Sequence, residues 1–162
     1  MRCPYEYCRI TCINVRLHSF KKHGITIIDD YAHHPAKIKA TLAAARNRFP
    51  GRRIIAVWQP HTYSRTKALA SEFSASFENA DLVIVSEIYA SREKLDSYSS
   101  NEVVKNITSS DARYIASLAE ISSFLFHELR YGDVVIVLSA GDANQVCIDV
   151  LSALQERNVT NR

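Results

Sequence analysis

The sequence predicts an α/β fold: an open, mainly parallel twisted sheet with helices on both faces, in three layers. From residue 24 onward, short β-branched runs alternate with helical patterns, and strands alternating with helices of about 10–15 residues build βαβ units. Leu82-Val-Ile-Val85 is apolar throughout, the character of a strand whose two faces are both covered. With 162 residues, 47% of them apolar, the chain has the material for one domain with a real core. Crossovers in such a sheet are expected to be right-handed.

Taken in order, Ile25-Thr-Ile-Ile-Asp29 is the first strand. A helix over Pro35–Phe49 follows, with Pro35 suited to its first turn, Ile38, Leu42, Ala45 and Phe49 on one face, and Phe49-Pro50-Gly51 as its stop. Arg53–Trp58 is the next strand, then a helix over Ser64–Asn79 with Leu69, Phe73 and Phe77 four residues apart. After the strand at Leu82–Val85 and a polar loop through Ser99 come a short helix at Glu102–Ile107 and a weak strand at Arg113–Ile115. Leu118, Ile121, Leu125 and Leu129 mark another helix, Asp133–Leu138 the last strong strand, and Asn144–Gln155 the closing helix. The domain is therefore expected to occupy residues 24–155, with Glu156–Arg162 a frayed polar tail. Residues 1–23 show little periodicity and hold three of the four cysteines; an extra strand and a loose arm both fit them.

Composition excludes several classes. No apolar run approaches the ~18–20 residues of a membrane helix, and Met1–Arg16 has no continuous apolar centre of a signal peptide. A cytoplasmic protein with no membrane partner is expected. The net charge of +3 is not gathered into a basic stripe, so nucleic acid is not an expected partner. Cys3, Cys8, Cys12 and Cys147 lack a companion His/Cys pair at zinc spacing and read as free thiols. No metal site is expected.

Polar clusters fall repeatedly at strand ends, where ligands of open parallel sheets bind. These clusters are Asp29-Asp-Tyr-Ala-His-His-Pro35, Gln59-Pro-His-Thr-Tyr-Ser-Arg-Thr66, Ser86-Glu-Ile-Tyr-Ala-Ser-Arg-Glu-Lys94 and Ser139-Ala-Gly-Asp142. Strand-end loops are polar in most such domains, but Tyr31 beside His33, His34, Asp29 and Asp30 is more than that habit requires. Asp30 can accept hydrogen bonds from ribose hydroxyls, Tyr31 offers a flat face, and His33 can donate to an anion, while His34 packs or caps the helix. Arg65 lies near a helix start, where the dipole disfavours a cation. It therefore reads as a clamp for a carboxylate or phosphate, against the alternative of a solvated arginine. Arg92-Glu93-Lys94 reads equally as a cluster with Tyr89 or as a solvated charge run, and Asp142 as a helix cap. The chain contains neither a G-x-x-x-x-G-K-[ST] loop nor a G-x-G-x-x-G turn.

Three strings, Ile27–Pro35, Gln59–Thr66 and Glu87–Lys94, resemble in order and spacing the carboxy-terminal domain of UDP-N-acetylmuramate–L-alanine ligases, a branch of the Mur ligases. The resemblance covers roughly residues 15–155. It implies a Rossmann-like domain that closes over an amino-terminal sugar-nucleotide domain and a central ATP domain in an enzyme of peptidoglycan precursor synthesis. It implies ATP with Mg2+ as the cofactor pair, the metal held mainly by those other domains and none bound tightly here. L-alanine, UDP-N-acetylmuramate and those two domains are the implied partners. ATP phosphorylates the muramoyl carboxylate, and the amine of L-alanine attacks the acyl phosphate. Carried over by position, Asp30 and Tyr31 meet the nucleotide, whereas Tyr31, His33, His61 and Arg65 border L-alanine and the activated carboxylate, with Arg65, His33 and His61 as the catalytic group. By this likeness the chain alone is inactive. Departures are Val15–Phe20, which shows one arginine, Arg16, where the family has a pair, and Ser139 where glycine is more usual. The carboxy-terminal domain of the related tripeptide-recycling ligase and a non-catalytic nucleotide- or protein-binding module are the alternatives.

Overall fold

A computed structural model describes residues 18–22 and 24–160, with side chains from Gly24 to Glu156. Cys3, Cys8, Cys12 and Arg16 lie outside the described residues. Strands β1 (His18–Lys22), β2 (Ile25–Asp30), β3 (Ile54–Trp58), β4 (Leu82–Val85), β5 (Asp111–Tyr114) and β6 (Val134–Leu138) form one sheet in the order β1-β2-β6-β3-β4-β5. β1 pairs antiparallel with β2, and the remaining pairs are all parallel. The end of the segment left open by the sequence is thus an edge strand, with His18 opposite Asp29.

Strand alternation divides the core in two. On one face Ile28, Ala56, Trp58, Val83 and Ile136 meet Ile38 and Leu42 of α1 (Pro35–Arg48), Phe73 of α3 (Ala70–Ser74) and Val103 of α4 (Asn101–Val104). On the other, Ile27, Val57, Ile84 and Val135 meet Ile121 and Leu125 of α5 (Leu118–Glu128) and Val146 and Val150 of α6 (Asn144–Thr160). β3, β4 and β6 are buried at every position, because neighbouring strands and both helix layers cover them. Cys147 is a free, buried thiol in the second cluster.

Two elements differ from the reading above. The helix expected over Ser64–Asn79 is broken into α2 (Tyr63–Ala68) and α3 at Leu69, whose φ of −111° and ψ of 20° leave the helical region. Phe73 and Phe77 nevertheless both reach Trp58, at ring-centroid distances of 4.5 and 5.5 Å, so the apolar spacing is honoured across the break. The closing helix continues past Gln155 to Thr160; its sequence holds no Gly or Pro to stop it, so the tail expected from Glu156 onward is largely helical backbone.

At the amino edges of the strands Arg52 acts as a staple. Its guanidinium donates to the carbonyls of Gly132, Gly24 and Asp133 at 2.5, 2.8 and 2.9 Å. Pairing three carbonyls with one cation satisfies acceptors that the turns leave open. The opposite, carboxyl rim is left to the polar loops.

Candidate active site at the carboxyl rim

β2, β6, β3 and β4 lie side by side and run the same way, so the loops after them share one edge of the sheet. Gln59, directly after β3, binds the two central loops. Its Oε1 accepts Ser139 Oγ at 2.7 Å and the amides of Asp142 and Ala143 at 3.1 Å each, while its Nε2 donates to Asp142 Oδ1 at 2.7 Å. The Asp142 carboxylate is therefore committed to Gln59; its carbonyl, not its side chain, takes the amide of Gln145. The helix cap expected of that side chain gives way to an inter-loop bond.

Four rings run in series along this edge. Tyr31 and His33 meet edge-to-face at 5.1 Å and 78°, His33 and His61 are 6.2 Å apart, and His61 stacks on Tyr89 at 5.7 Å and 29°. Backbone bonds hold the last pair: Thr62 N donates to Tyr89 O, and Tyr89 N to Pro60 O, both at 2.9 Å. His33 Nδ1 lies 2.9 Å from the carbonyl of Tyr31; a carbonyl only accepts, so Nδ1 is the donor. Tyr31 is 60% exposed.

Arg65 sits on α2 close enough to His61 for its charge to act there. Burial, then Arg65, then His33 push the His61 pKa below its ordinary 6.5, against a smaller opposing pull from Glu93. The imidazole is therefore neutral at pH 7. His61 Nδ1 and Arg65 Nη1 are both buried, and neither has a hydrogen-bond partner among the described residues. Buried polar atoms are nearly always paired, so two unpartnered atoms side by side at this rim set it apart from the rest of the sheet edge. The dipole argument for Arg65 loses its force here, since α2 has only six residues and Arg65 belongs to its last turn as well. The unpaired Nη1 replaces it.

Two residues do not stand where the sequence reading put them. Asp30 is 1% exposed. Its carboxylate is turned inward, taking Thr41 Oγ1 at 2.6 Å and Ala32 N at 3.1 Å. It braces α1 against its loop. Burial raises its pKa, with Thr41, Ala32 and Lys37 opposing. His34 occupies the N-cap position of α1 by backbone geometry, but its exposed ring neither packs nor caps.

Three contributors stood in the polar strings without an assigned role. Gln59 is legible only as the first polar residue after an apolar strand. Glu93 is tied down at the surface: it takes Ser64 N at 3.0 Å and also Ser64 Oγ. Glu87 knots the long loop after β4, accepting Tyr114 OH at 2.5 Å, Ile88 N at 2.8 Å and Ser99 Oγ at 3.0 Å. Among the described residues no group of three or more His, Cys, Asp or Glu side chains is placed to hold a metal. No helix among them is long and apolar enough to cross a membrane.

Comparison with known proteins agrees with this architecture. A family model described as "Mur ligase, glutamate ligase domain" matches residues 15–141. UDP-N-acetylmuramate–L-alanine ligase of Caldanaerobacter subterraneus subsp. tengcongensis is 48% identical over 126 residues, 76% of this chain and 27% of that protein. The enzyme of the same name from Desulfitobacterium hafniense is 47% identical over 133 residues, 80% of this chain and 30% of that protein. The chain thus spans under a third of the length of these curated relatives. In fold it is similar to UDP-N-acetylmuramate-alanine ligase of Thermotoga maritima, with TM-score 0.68 and 24% identity over 82% of this chain and 27% of that one. A domain from a putative UDP-N-acetylmuramate:L-alanyl-gamma-D-glutamyl-medo-diaminopimelate ligase of Haemophilus ducreyi gives TM-score 0.63 and 26% identity, over 82% of this chain and 93% of that one. Fold, rim motifs and relatives agree: the chain belongs to the Mur ligase family, through its carboxy-terminal domain.

Proposed function

We propose that this chain is the closing domain of an ATP-dependent ligase that joins L-alanine to UDP-N-acetylmuramate in peptidoglycan precursor synthesis. The observation that carries the reading is the pair of buried atoms without partners among the described residues, Arg65 Nη1 and His61 Nδ1, on Gln59–Thr66, one of the three strings that carry the resemblance.

Arg65 binds the carboxylate of the incoming amino acid, since a guanidinium offers a planar fork of donors that matches it. The neutral imidazole of His61 stands beside that clamp and accepts the proton released as the amine attacks. His33, next to His61 in the row of rings, helps orient the amine. ATP supplies an activated muramoyl carboxylate as an acyl phosphate. The amine nitrogen bonds to the acyl carbon, the carbon–oxygen bond to phosphate breaks, and phosphate leaves with the electron pair. Tyr31, exposed and flat, is the residue of this chain that fits a nucleotide; the inward Asp30 does not. Closure of this rim over the other domains excludes water from the activated carboxylate. Mg2+ would be held by those domains.

The test is phosphate release from ATP and UDP-N-acetylmuramate, with the amino-terminal and central ligase domains present. L-alanine is expected to stimulate it, and Arg65→Ala to remove the stimulation. No response to L-alanine, or a stimulated rate unchanged by Arg65→Ala, ends the assignment. The tripeptide-recycling reaction is the competing outcome: stimulation by the tripeptide and not by L-alanine would favour it.

A further inference from the structure

We propose that Glu93 is a positioning residue for this site: reaching over from the β4 loop, it closes the open first turn of α2 and thereby holds Arg65 and His61 at the rim. The proposal rests on the ligase reading for its kinetic consequence, though not for its structural one.

The first turn of a helix has amide N–H groups without intrahelical acceptors. Thr62, at the N-cap position of α2, gives no side-chain cap. The acceptor arrives from 29 residues further along the chain: the Glu93 carboxylate takes Ser64 N at 3.0 Å and Ser64 Oγ through its other oxygen. Arg65 is the next residue. Both carboxylate oxygens are thus committed to α2, and Glu93 acts on a guest only through the groups it holds.

The backbone that Glu93 secures is strained. Thr62 has φ 69° and ψ 141°, a conformation β-branched residues rarely adopt. It follows His61 directly and precedes Arg65 by one helical turn, so its geometry sets the angle between the two side chains. Three bonds keep it there: Thr62 N donates to Tyr89 O at 2.9 Å, and Thr62 O accepts Thr66 N at 3.1 Å and Thr66 Oγ1 at 2.7 Å. Tyr89 and Glu93 belong to one short loop, closed by Glu93 N donating to Ala90 O at 3.0 Å. That loop therefore grips the strained turn at two points, Tyr89 through backbone and Glu93 through its side chain. The bonds from Ser64, first its hydroxyl and then its amide, hold the Glu93 carboxyl below its usual range, so it stays ionised as an acceptor near neutral pH.

Two measurements test this on the full chain and on the assembled ligase. In the chain, NMR follows Ser64 amide exchange and the Arg65 Nε and His61 ring signals. Loss of a charge-assisted acceptor is expected to speed Ser64 exchange about tenfold in Glu93→Ala and to move both side-chain signals. Glu93→Gln, with one oxygen left, is expected to fall between, and Glu102→Ala, on the same connecting segment, to match the parent. In the ligase, Glu93→Ala is expected to raise KM for L-alanine about tenfold while leaving KM for ATP unchanged. If Glu93→Ala does not fold, Ser64→Ala and Glu93→Gln carry the same comparison in milder form. Parent-like Ser64 exchange and Arg65 signals in the Glu93 variants overturn the proposal, as does an equal rise in both KM values. If the parent assembly shows no response to L-alanine, the ligase reading fails instead, and the exchange measurement still decides whether Glu93 positions Arg65.

Discussion

Gln59 and Asp142 are joined side chain to side chain at 2.7 Å across 83 residues of sequence. The bond fastens the loop after β3 to the loop after β6, its neighbour in the sheet. One buried amide therefore sets the relative height of two rim loops. A third loop is tied in by Gly141, where an added Cβ would fall 2.5 Å from Gln59 Oε1 and 2.8 Å from Tyr89 Cγ.

Gly141→Ala is accordingly expected to cost about 1–3 kcal/mol, the range for overpacking a tight site. Gly51→Ala meets open space and only the penalty of φ +72°, about 1 kcal/mol. Urea midpoints of the two variants check this; the expectation fails if Gly51→Ala is the more damaging.

Glu87 predicts an acid limb of stability. Burial opposes its ionisation, but bonds from Tyr114, Ile88, Ser99 and Ser100 outweigh that and hold its pKa below the ordinary 4.5. A depressed folded pKa means the unfolded chain binds the proton first, so the contribution is complete above pH 4.5 and is lost as pH falls through the folded value. Denaturant melts of Glu87→Gln at falling pH should show a shallower loss than the parent. Parallel curves would refute the role.

His61 predicts a measurable coupling to Arg65. Burial is the largest cause of its lowered pKa, with Arg65 next and His33 third. Removing the guanidinium in Arg65→Ala should move the imidazole titration upward, toward 6.5, as followed by ring-proton shifts. A titration that stays put would separate the two side chains. The same shift would leave less neutral imidazole near pH 6.5, so any residual ligase activity should fall off at higher pH than in the parent.

Leu125 of α5 is fully buried in the core cluster that α5 shares with the sheet. Leu125→Ala should lose about 2–5 kcal/mol by the transfer and cavity cost, read from the unfolding midpoint. Ile148→Ala, on the exposed side of α6, should change it by less than about 0.5 kcal/mol.

Much of the fold was legible because it is written in local patterns. The unbroken apolar run at Leu82–Val85 and the spacing of Ile38 and Leu42 each follow from the period of one element. The loop strings after β2, β3 and β4 were legible as site material because polar residues cluster where strands end. The break at Leu69 was not, since Leu69, Phe73 and Phe77 keep helical spacing on either side of it. Asp30 was misplaced for a related reason: a carboxylate next to Tyr31 looks available until Thr41, 11 residues on, turns it inward.

The linear chain by itself determined most of the strands and helices after residue 24, and that Tyr31, His33, His61 and Arg65 follow strand ends. Those facts depend on side-chain period and on residues within a few positions of one another. Only the tertiary structure decided that β6 inserts between β2 and β3, and that insertion is what brings Gln59 to Asp142. Likewise only packing aimed Glu93 at Ser64 and left Arg65 Nη1 without a partner among the described residues. Hydrogen bonds between loops 29 and 83 residues apart depend on strand order, and strand order is settled by how two helix layers cover one sheet rather than by any local run of residues.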